Sequence, residues 1–246
     1  MPYSMSEILR RRSEKEAFQP SWAGVLLNPA YLMRREIFRA ARAFGRTRTG
    51  DLLDYGCGSK PYRNLFPMVS SYVGVDVEQS GHDHASSDVD VFFDGTTLPF
   101  EDRSFDTVVA FEVLEHVFEQ EQMLREMRRV LRPGGTLMIT TPFVWPEHEQ
   151  PYDFSRLTGF GIVELFNRSG FSDVSHAKAG SDVSVIGQLS LNYLLRITNP
   201  TGRIASGFRG LALPTLVNLL AVIMNGIAPV TGESYLSNVV TARRSD

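Results

Sequence analysis

The chain of 246 residues is long enough for one large domain, or for one domain with a substantial addition. With 43% hydrophobic and 22% charged residues it has the composition of a folded globular protein, which argues against extensive disorder. A net charge of −3 provides no general attraction to nucleic acid, so we expect no nucleic-acid partner. Cys57 is the single cysteine and the N-terminus lacks an apolar signal, which together favour a reducing, cytoplasmic setting.

The first elements in chain order are a charged arm and a helix. Residues 1–27 include the run RRRSEKE and are predicted to form a solvated N-terminal arm. From residue 28 to residue 44 the apolar spacing predicts a helix, with Pro29 in its first turn, where a missing amide hydrogen costs little. This helix opens the predicted core, residues 28–180.

Short apolar runs rich in β-branched residues then alternate with helical segments. The helix between the fourth and fifth runs is predicted to stop at Pro133 and Gly134. Another helix is expected near residues 158–168, followed by a strand near 171–179. This alternation predicts an α/β fold: a Rossmann-like, doubly wound, mostly parallel sheet of seven strands with flanking helices. The first five runs are DLLDYG, SYVGVDV, DVFFDG, FDTVVAF and GTLMITTPF.

The C-terminal part is predicted to contain a helical insertion, residues 181–232, before a closing strand within residues 233–246. The insertion could be a lid, a homodimer contact or a membrane-facing surface. Its stretch 211–230 carries no charge, which favours a buried or partner-facing helix. Peripheral contact with a membrane through residues 203–230 is the alternative, because Arg203 and Arg209 could meet lipid headgroups. Proline and glycine interruptions disfavour a true membrane span.

The turn after the first strand reads DYGCGSKP and is typical of a ligand site. A strand that enters a glycine turn directs backbone amides at whatever lies above the edge of the sheet. Gly56 and Gly58 have no Cβ to obstruct such a ligand. Pro61 stands where a dinucleotide fingerprint needs its third glycine, which weakens the case for NAD or FAD. Asp54 repels a pyrophosphate but suits a cationic amino group, so the turn favours a nucleoside joined to an amino acid.

The next two strand ends also carry acids. Asp76 follows Gly58 by 18 residues, a place where a carboxylate can accept hydrogen bonds from both hydroxyls of a ribose. Asp94 ends the third strand and could lie by an adenine amine, with Leu98 or Phe100 near the ring. Each acid could instead be a helix cap or a loop residue, but their order and spacing together favour a nucleoside site.

These segments resemble the successive motifs of class I S-adenosylmethionine-dependent methyltransferases over about residues 48–179. The motifs are LLDYGCG, VGVDV, FDGTTLPFEDRSFDTVVAFEVLEHV and EMRRVLRPGGTLMITTP. The resemblance implies S-adenosyl-L-methionine as the cofactor. Lys60 departs from the pattern, because many members have a third glycine there, and it could face the cofactor or the solvent. The implied cofactor-binding residues are Asp54, Gly56 and Gly58 at the methionine end, Asp76 at the ribose, Asp94 and Gly95 at adenine, and Phe111 and Glu112 beside the reactive methyl.

Methyl transfer from a sulfonium requires mainly an aligned nucleophile and removal of its proton. Two histidines are candidates for that catalytic role. His116 in EVLEHV follows the fourth strand, and the alternative is that it anchors the next helix. His148 lies in the loop after the fifth strand and acts either on the substrate or as a brace together with Asp153 and Arg156.

The loop PFVWPEHEQPYDFSRLT, residues 142–158, has the composition of a recognition surface. Aromatic groups among carboxylates suit a polyhydroxylated ligand, so we predict O-methylation of a sugar or a lipid-linked glycan. The alternatives are a lipid or quinone-like acceptor, or a binding scaffold without catalysis. The candidate substrate residues are Trp145, Tyr152, Asp153 and Arg156.

A metal requirement is not expected from the sequence. The segment GHDH places His82 and His84 close together, but adjacent ligand types without a framework are a weak signal. His148 with Glu147 or Glu149 is no stronger. We therefore predict that no metal ion is required.

Overall fold

The computed structural model of the protein describes residues 15–78, 87–197 and 212–246. Its contacts group the chain into two compact units. The sheet unit contains residues 40–178 and 237–246, and the helical unit contains the described parts of residues 1–39 and 179–236. The N-terminal segment and the inserted helices thus belong to the same unit. The predicted domain boundaries treated them as separate parts of the chain.

Seven strands form one sheet in the order β3-β2-β1-β4-β5-β7-β6. Strands β1 to β5 pair in parallel, and β7 runs antiparallel to β5. The predicted Rossmann-like, mostly parallel sheet is thereby confirmed. The strands are β1 Gly50–Tyr55, β2 Val69–Val77, β3 Val91–Phe93, β4 Phe105–Phe111, β5 Leu131–Pro142, β6 Phe171–Ala179 and β7 Ser237–Arg244.

The helices, besides a single turn at Gly24–Leu27, are α1 Tyr31–Gly45, α2 Gln120–Val130, α3 Gly159–Arg168, α4 Asp182–Ile197 and α5 Leu213–Ile227. Helix α3 begins after Thr158, whose side chain accepts a hydrogen bond from the Gly161 amide. Helix α2 ends at Val130, earlier than the predicted stop at Pro133, and residue 131 is already extended. The reason is that the residue before a proline disfavours helical geometry, so Arg132 cannot continue the helix.

The central strands are buried along most of their length, as expected for parallel strands covered on both faces. Leu53, Val108 and Leu137 are fully buried in one cluster with the apolar face of α2. In the register of this sheet Asp54 lies opposite Gly74 of β2 and Val109 of β4. The loops that follow β1, β2 and β4 therefore leave from the same edge of the sheet.

Helices α4 and α5 of the helical unit bury polar residues and expose apolar ones. The buried side chain of Asn218 donates hydrogen bonds to the carbonyls of Val25 (3.1 Å) and Asn28 (3.0 Å). Gln188, also buried, donates to the carbonyl of Pro29 at 2.9 Å. The outward face of α5 carries exposed leucine and isoleucine side chains at helical spacing, namely Leu216, Leu220, Ile223 and Ile227.

The predicted membrane contact of residues 203–230 is only partly covered by the structure, because Arg203 and Arg209 lie outside the described residues. Within the described ranges, no helix has the length and apolar character needed to cross a bilayer.

Candidate active site

The two glycines of the turn after β1 have different surroundings. Gly56 has a φ of +68°, and a Cβ added to it would lie 2.5 Å from Cγ2 of Val113. Gly58 has a φ of +48°, and a Cβ added there would meet nothing within 4 Å among the described residues. Packing against Val113 therefore requires Gly56, whereas none of the described residues fills the space next to Gly58. That both glycines make room for a ligand stays a prediction, and Gly56 has in addition this packing role.

The side chain of Lys60 is buried and forms an ion pair with an acid. Its φ of +50° explains why many relatives of this motif have glycine at this position. The side chain is 1% exposed, and its Nζ atom lies 2.7 Å from Oδ2 of Asp90. Gly74 provides the space for the lysine stem, since a Cβ there would lie 2.4 Å from Cε of Lys60.

Asp54 is a buried acid at the end of β1. The Tyr72 hydroxyl donates a hydrogen bond to its Oδ2 at 2.6 Å. Burial raises the pKa of Asp54 to about 7, with a further increase from the charge of Asp76, against the lowering effects of the Tyr72 bond and of Lys60. An acid in such surroundings gains most from a cation placed next to it. Asp54 therefore fits the ammonium group of an amino-acid ligand.

Asp76 and Asp94 follow the next strand ends, as predicted. Asp76 accepts hydrogen bonds from the amides of Gly58 (2.9 Å) and Val77 (2.8 Å). Asp94 is exposed and accepts from the Thr96 amide at 2.8 Å, a bond that lowers the pKa of the carboxyl group. Gly95 follows with a φ of +81°. Asp76 thus ties the tip of the glycine turn to β2.

The end of β4 continues the same edge. Phe111 packs its ring against Tyr62, with the ring centroids 4.5 Å apart. Glu112 has a φ of +56°, and its amide donates to the carbonyl of Thr140 at 2.9 Å. This unusual backbone conformation turns the chain into the short helical turn Leu114–His116.

Glu115 lies in that turn and is fully buried. Its Oε2 accepts a hydrogen bond from the Thr141 hydroxyl at 3.1 Å. Its Oε1 has no hydrogen-bond partner among the described residues. Burial, and next the charge of Glu112, raise the pKa of Glu115 well above its usual range. Sequence reasoning missed this residue, although the acid immediately before His116 in EVLEHV was a visible signal.

His116 and His148, predicted as alternative catalytic groups, lie together beside Glu115. His116 Nδ1 is 2.8 Å from the carbonyl of Tyr152, and its Nε2 is 3.7 Å from Glu115 Oε1. His148 Nδ1 is 3.2 Å from Asp153 Oδ2, and its Nε2 is 3.9 Å from Glu115 Oε1. Burial, and next the neighbouring His116, lower the pKa of His148.

The loop after β5 is held together by Asp153 and Arg156. The guanidinium binds both carboxylate oxygens, at 2.5 and 2.6 Å, and the His148 amide donates to the same carboxylate at 3.0 Å. Burial alone would raise the pKa of Asp153, but the Arg156 and His148 bonds outweigh it and lower the pKa to about 2. Both residues are thus engaged within the loop. Trp145 is half-buried and Tyr152 is exposed, and the GHDH segment lies outside the described residues.

Comparison with known proteins identifies the domain. Residues 53–139 match the family described as methyltransferase domain. A Mycolicibacterium smegmatis protein named "Probable S-adenosylmethionine-dependent methyltransferase" is 32% identical over 152 residues, which cover 57% of this chain and 59% of that protein. The 27-O-demethylrifamycin SV methyltransferase of Amycolatopsis mediterranei is 35% identical over 134 residues, covering 48% of this chain and 49% of that protein. The chain thus spans 59% or less of the length of these two curated relatives.

Solved structures show the same fold. An S-adenosylmethionine-dependent methyltransferase from Thermotoga maritima has a TM-score of 0.54 at 16% identity, covering 91% of this chain and 93% of that one. Phosphoethanolamine N-methyltransferase 2 of Haemonchus contortus, in complex with S-adenosyl-L-methionine, has a TM-score of 0.52 at 17% identity, covering 100% of this chain and 61% of that one.

The parallel sheet, its glycine turn and the acids at successive strand ends define a nucleoside-binding methyltransferase domain. Residues 53–139 form a methyltransferase domain of the class I S-adenosylmethionine-dependent type, whose cofactor is S-adenosyl-L-methionine.

Proposed function

We propose that the protein transfers a methyl group from S-adenosyl-L-methionine to a hydroxyl oxygen of a sugar or a lipid-linked glycan. The observation that carries this proposal is the pairing of His116 and His148, which follow β4 and β5 at the edge of the sheet where β1 leads into the glycine turn. The His116 amide donates to the carbonyl of Val113 at 2.9 Å, and Val113 is the residue that packs against Gly56. The segment that carries His116 thus packs against the predicted cofactor turn.

The residues of the turn fit the cofactor. When bound, S-adenosyl-L-methionine supplies an electrophilic methyl group on a sulfonium. Asp54 would hold the ammonium group of the cofactor. The cofactor would lie in the space next to Gly58, and Asp76 would accept hydrogen bonds from the ribose hydroxyls. Asp94 and Gly95 would flank the adenine. Phe111 and Glu112 would border the methyl group.

The acceptor side is assigned to the loop of residues 142–158. A hydroxyl becomes a strong nucleophile only when its proton is removed, and neutral imidazoles near pH 7 suit that task. The exposed ring of Tyr152 and the half-buried ring of Trp145 would provide apolar surface for the faces of a sugar. Asp153 and Arg156 would contribute to substrate binding by holding the loop in place.

A lipid-carried acceptor is favoured by the helical unit. Its helices α4 and α5 expose isoleucine, leucine and tyrosine side chains, whereas the polar side chains of Ser184, Gln188 and Asn218 are buried. Apolar patches of this kind mark contact sites for a protein or a membrane. We propose peripheral contact with a membrane surface, and the cytoplasmic location and a homodimer stay predictions. Co-sedimentation with vesicles containing anionic lipid tests the membrane contact.

A panel of acceptors and methyl-labelled cofactor tests the function. We expect label in sugar nucleotides or glycolipids. We also expect His148→Gln to bind the cofactor like the parent and to lose most turnover. Transfer to lipid extracts but never to a sugar would favour a lipid or quinone-like acceptor. Cofactor binding without product anywhere in the panel would instead favour a scaffold without catalysis.

A further inference from the structure

Three atoms of types that can coordinate a metal ion lie close together in the sheet unit. They are Oε1 of Glu115 and the Nε2 atoms of His116 and His148, and all three lie within 4.8 Å of one another. The two distances from the carboxylate oxygen, 3.7 and 3.9 Å, exceed the length of a hydrogen bond. Proton sharing within the cluster therefore does not account for its arrangement.

The contact made by Nδ1 of each ring determines the tautomer of that histidine. When Nδ1 carries the proton of a neutral ring, Nε2 has a lone pair and can bind a cation. A backbone carbonyl can only accept a hydrogen bond, so the 2.8 Å contact with Tyr152 requires a proton on Nδ1 of His116. The carboxylate of Asp153 likewise accepts a hydrogen bond from Nδ1–H of His148 at 3.2 Å. Neutral rings in these tautomers direct the lone pairs of both Nε2 atoms toward Glu115. Within the described part of the chain, neither Glu115 Oε1 nor His116 Nε2 has a hydrogen-bond partner.

We propose that Glu115, His116 and His148 bind one divalent transition-metal ion such as Zn²⁺, Fe²⁺ or Mn²⁺. Ligands that share an ion at about 2.0–2.2 Å lie about 2.9–3.5 Å apart. The carboxylate oxygen lies 3.7 and 3.9 Å from the two ring nitrogens, and all three atoms lie within 4.8 Å of one another, so binding an ion requires side-chain movements of up to about 1–2 Å. Two imidazoles and one carboxylate form a common set for these ions and leave coordination positions open.

The surroundings of the three ligands match those of metal sites. Ligating histidines usually donate their other ring N–H to a carboxylate or a backbone carbonyl, as His148 and His116 do here. The Thr141 hydroxyl orients Glu115 through Oε2, which leaves Oε1 available. Glu149 lies at the edge of the cluster, with Oε2 3.6 Å from Nε2 of His116, and could complete the coordination.

The role of this ion rests on the proposed function. An acceptor hydroxyl oxygen would bind at an open coordination position, which lowers the pKa of that hydroxyl. In the metal-bound protein its proton would pass to solvent, so the two histidines would act on the hydroxyl through the ion instead of removing its proton directly. The expectation that no metal is required came from spacing along the chain, whereas this cluster forms only in the fold.

The test is a titration of the chelator-treated, untagged full chain with Co²⁺ alone, followed by visible absorption. We expect bands of a nitrogen- and oxygen-coordinated ion that saturate at one equivalent, and displacement of Co²⁺ by Zn²⁺. Glu115→Gln and His148→Gln should lose these bands at one equivalent. The matched controls, Glu164→Gln on α3 and His176→Gln on β6, should keep them. Asp153→Asn should weaken binding by about 10–100-fold.

Absence of stoichiometric Co²⁺ binding by the parent overturns the proposal, as does unchanged binding by both Glu115→Gln and His148→Gln. Circular dichroism of each variant shows that it is folded. Should Glu115→Gln fail to fold, His148→Gln decides, since its side chain is 30% exposed. Cofactor binding by the metal-free chain is measured separately, so failure of the metal site is distinguished from failure of the methyltransferase assignment.

Discussion

The imidazole rings of His116 and His148 lie edge to face, with centroids 4.7 Å apart and an interplanar angle of 73°. His116 follows β4 and His148 follows β5, which are adjacent parallel strands with Phe111 opposite Thr140. Both histidines therefore leave the same edge of the sheet. The sequence offered them as alternative bases, whereas the fold makes them parts of one cluster with Glu115.

Alanine at the two glycines of the turn should separate packing from ligand binding. Gly56→Ala should lower the free energy of unfolding by about 1–3 kcal/mol beyond the cost of its positive φ, because the new methyl group overlaps Val113. Gly58→Ala should cost only about 1–2 kcal/mol, the price of the left-handed backbone, but should weaken cofactor binding. Urea unfolding and calorimetry measure the two effects. Equal losses of stability would contradict the different roles.

Cofactor affinity should depend on the ionisation of Asp54. Since burial raises the pKa of this acid to about 7, its carboxyl group is largely protonated at pH 6 in the free protein. An ammonium group prefers the ionised form, so calorimetry should show affinity rising between pH 5.5 and pH 7.5. Asp54→Asn should bind weakly and with a flat profile. A parent profile as flat as that of the variant would refute the assignment.

The same raised pKa has a consequence for stability. Between about pH 4 and pH 7 the folded protein retains a proton on Asp54 that the unfolded chain releases. The contribution of this group to the free energy of unfolding is therefore present below pH 4 and lost as the pH rises to 7. Urea unfolding of the cofactor-free protein should show this decline relative to Asp54→Asn. The opposite slope would contradict the burial of this acid.

Asp153→Asn should loosen the loop after β5. The variant loses the charge that binds both arms of Arg156, and a hydrogen bond to a charged group contributes about 1.5–3 kcal/mol. We expect a lower free energy of unfolding and a loss of kcat that exceeds any change in cofactor affinity. The exposed Glu164→Gln serves as the control. Full activity of Asp153→Asn would show that the loop holds His148 in place without this brace.

The two sides of α5 should respond differently to substitution. Asn218→Ala leaves the carbonyls of Val25 and Asn28 without their donor, which should cost about 1–3 kcal/mol in unfolding free energy. Leu220→Ser together with Ile223→Ser should change stability by about 0.5 kcal/mol or less per site, while reducing co-sedimentation with vesicles. Vesicle binding that is unchanged in the double variant would rule out this face as the membrane contact.

The sheet and the cofactor turn could be read from the sequence because each is a local pattern. Short apolar runs predicted β1, β4 and β5, and the glycine turn with Asp54 directly follows its strand. Helix boundaries were less accurate, since the effect of Pro133 reaches back to the preceding residues and ends α2 at Val130.

Features that depend on tertiary contacts could not be predicted in this way. Spacing along the chain does not show that Glu115 is buried between His116 and His148. Nor does the uncharged stretch 211–230 show that Asn218 faces inward and Leu220 outward, because composition carries no information about which side of a helix is covered. The position of the Lys60 side chain could not be predicted for the same reason, because its partner Asp90 lies far along the chain, directly before β3.

Calorimetric titration with S-adenosyl-L-methionine, comparing the parent with Asp76→Ala and His148→Gln, tests the central assignment most directly. The parent should bind one equivalent. Asp76→Ala should bind about a hundredfold or more weakly, because two hydrogen bonds to a charged group are lost, and His148→Gln should match the parent. A parent that gives no binding at saturating cofactor, or an Asp76→Ala variant that binds as tightly, would contradict the account.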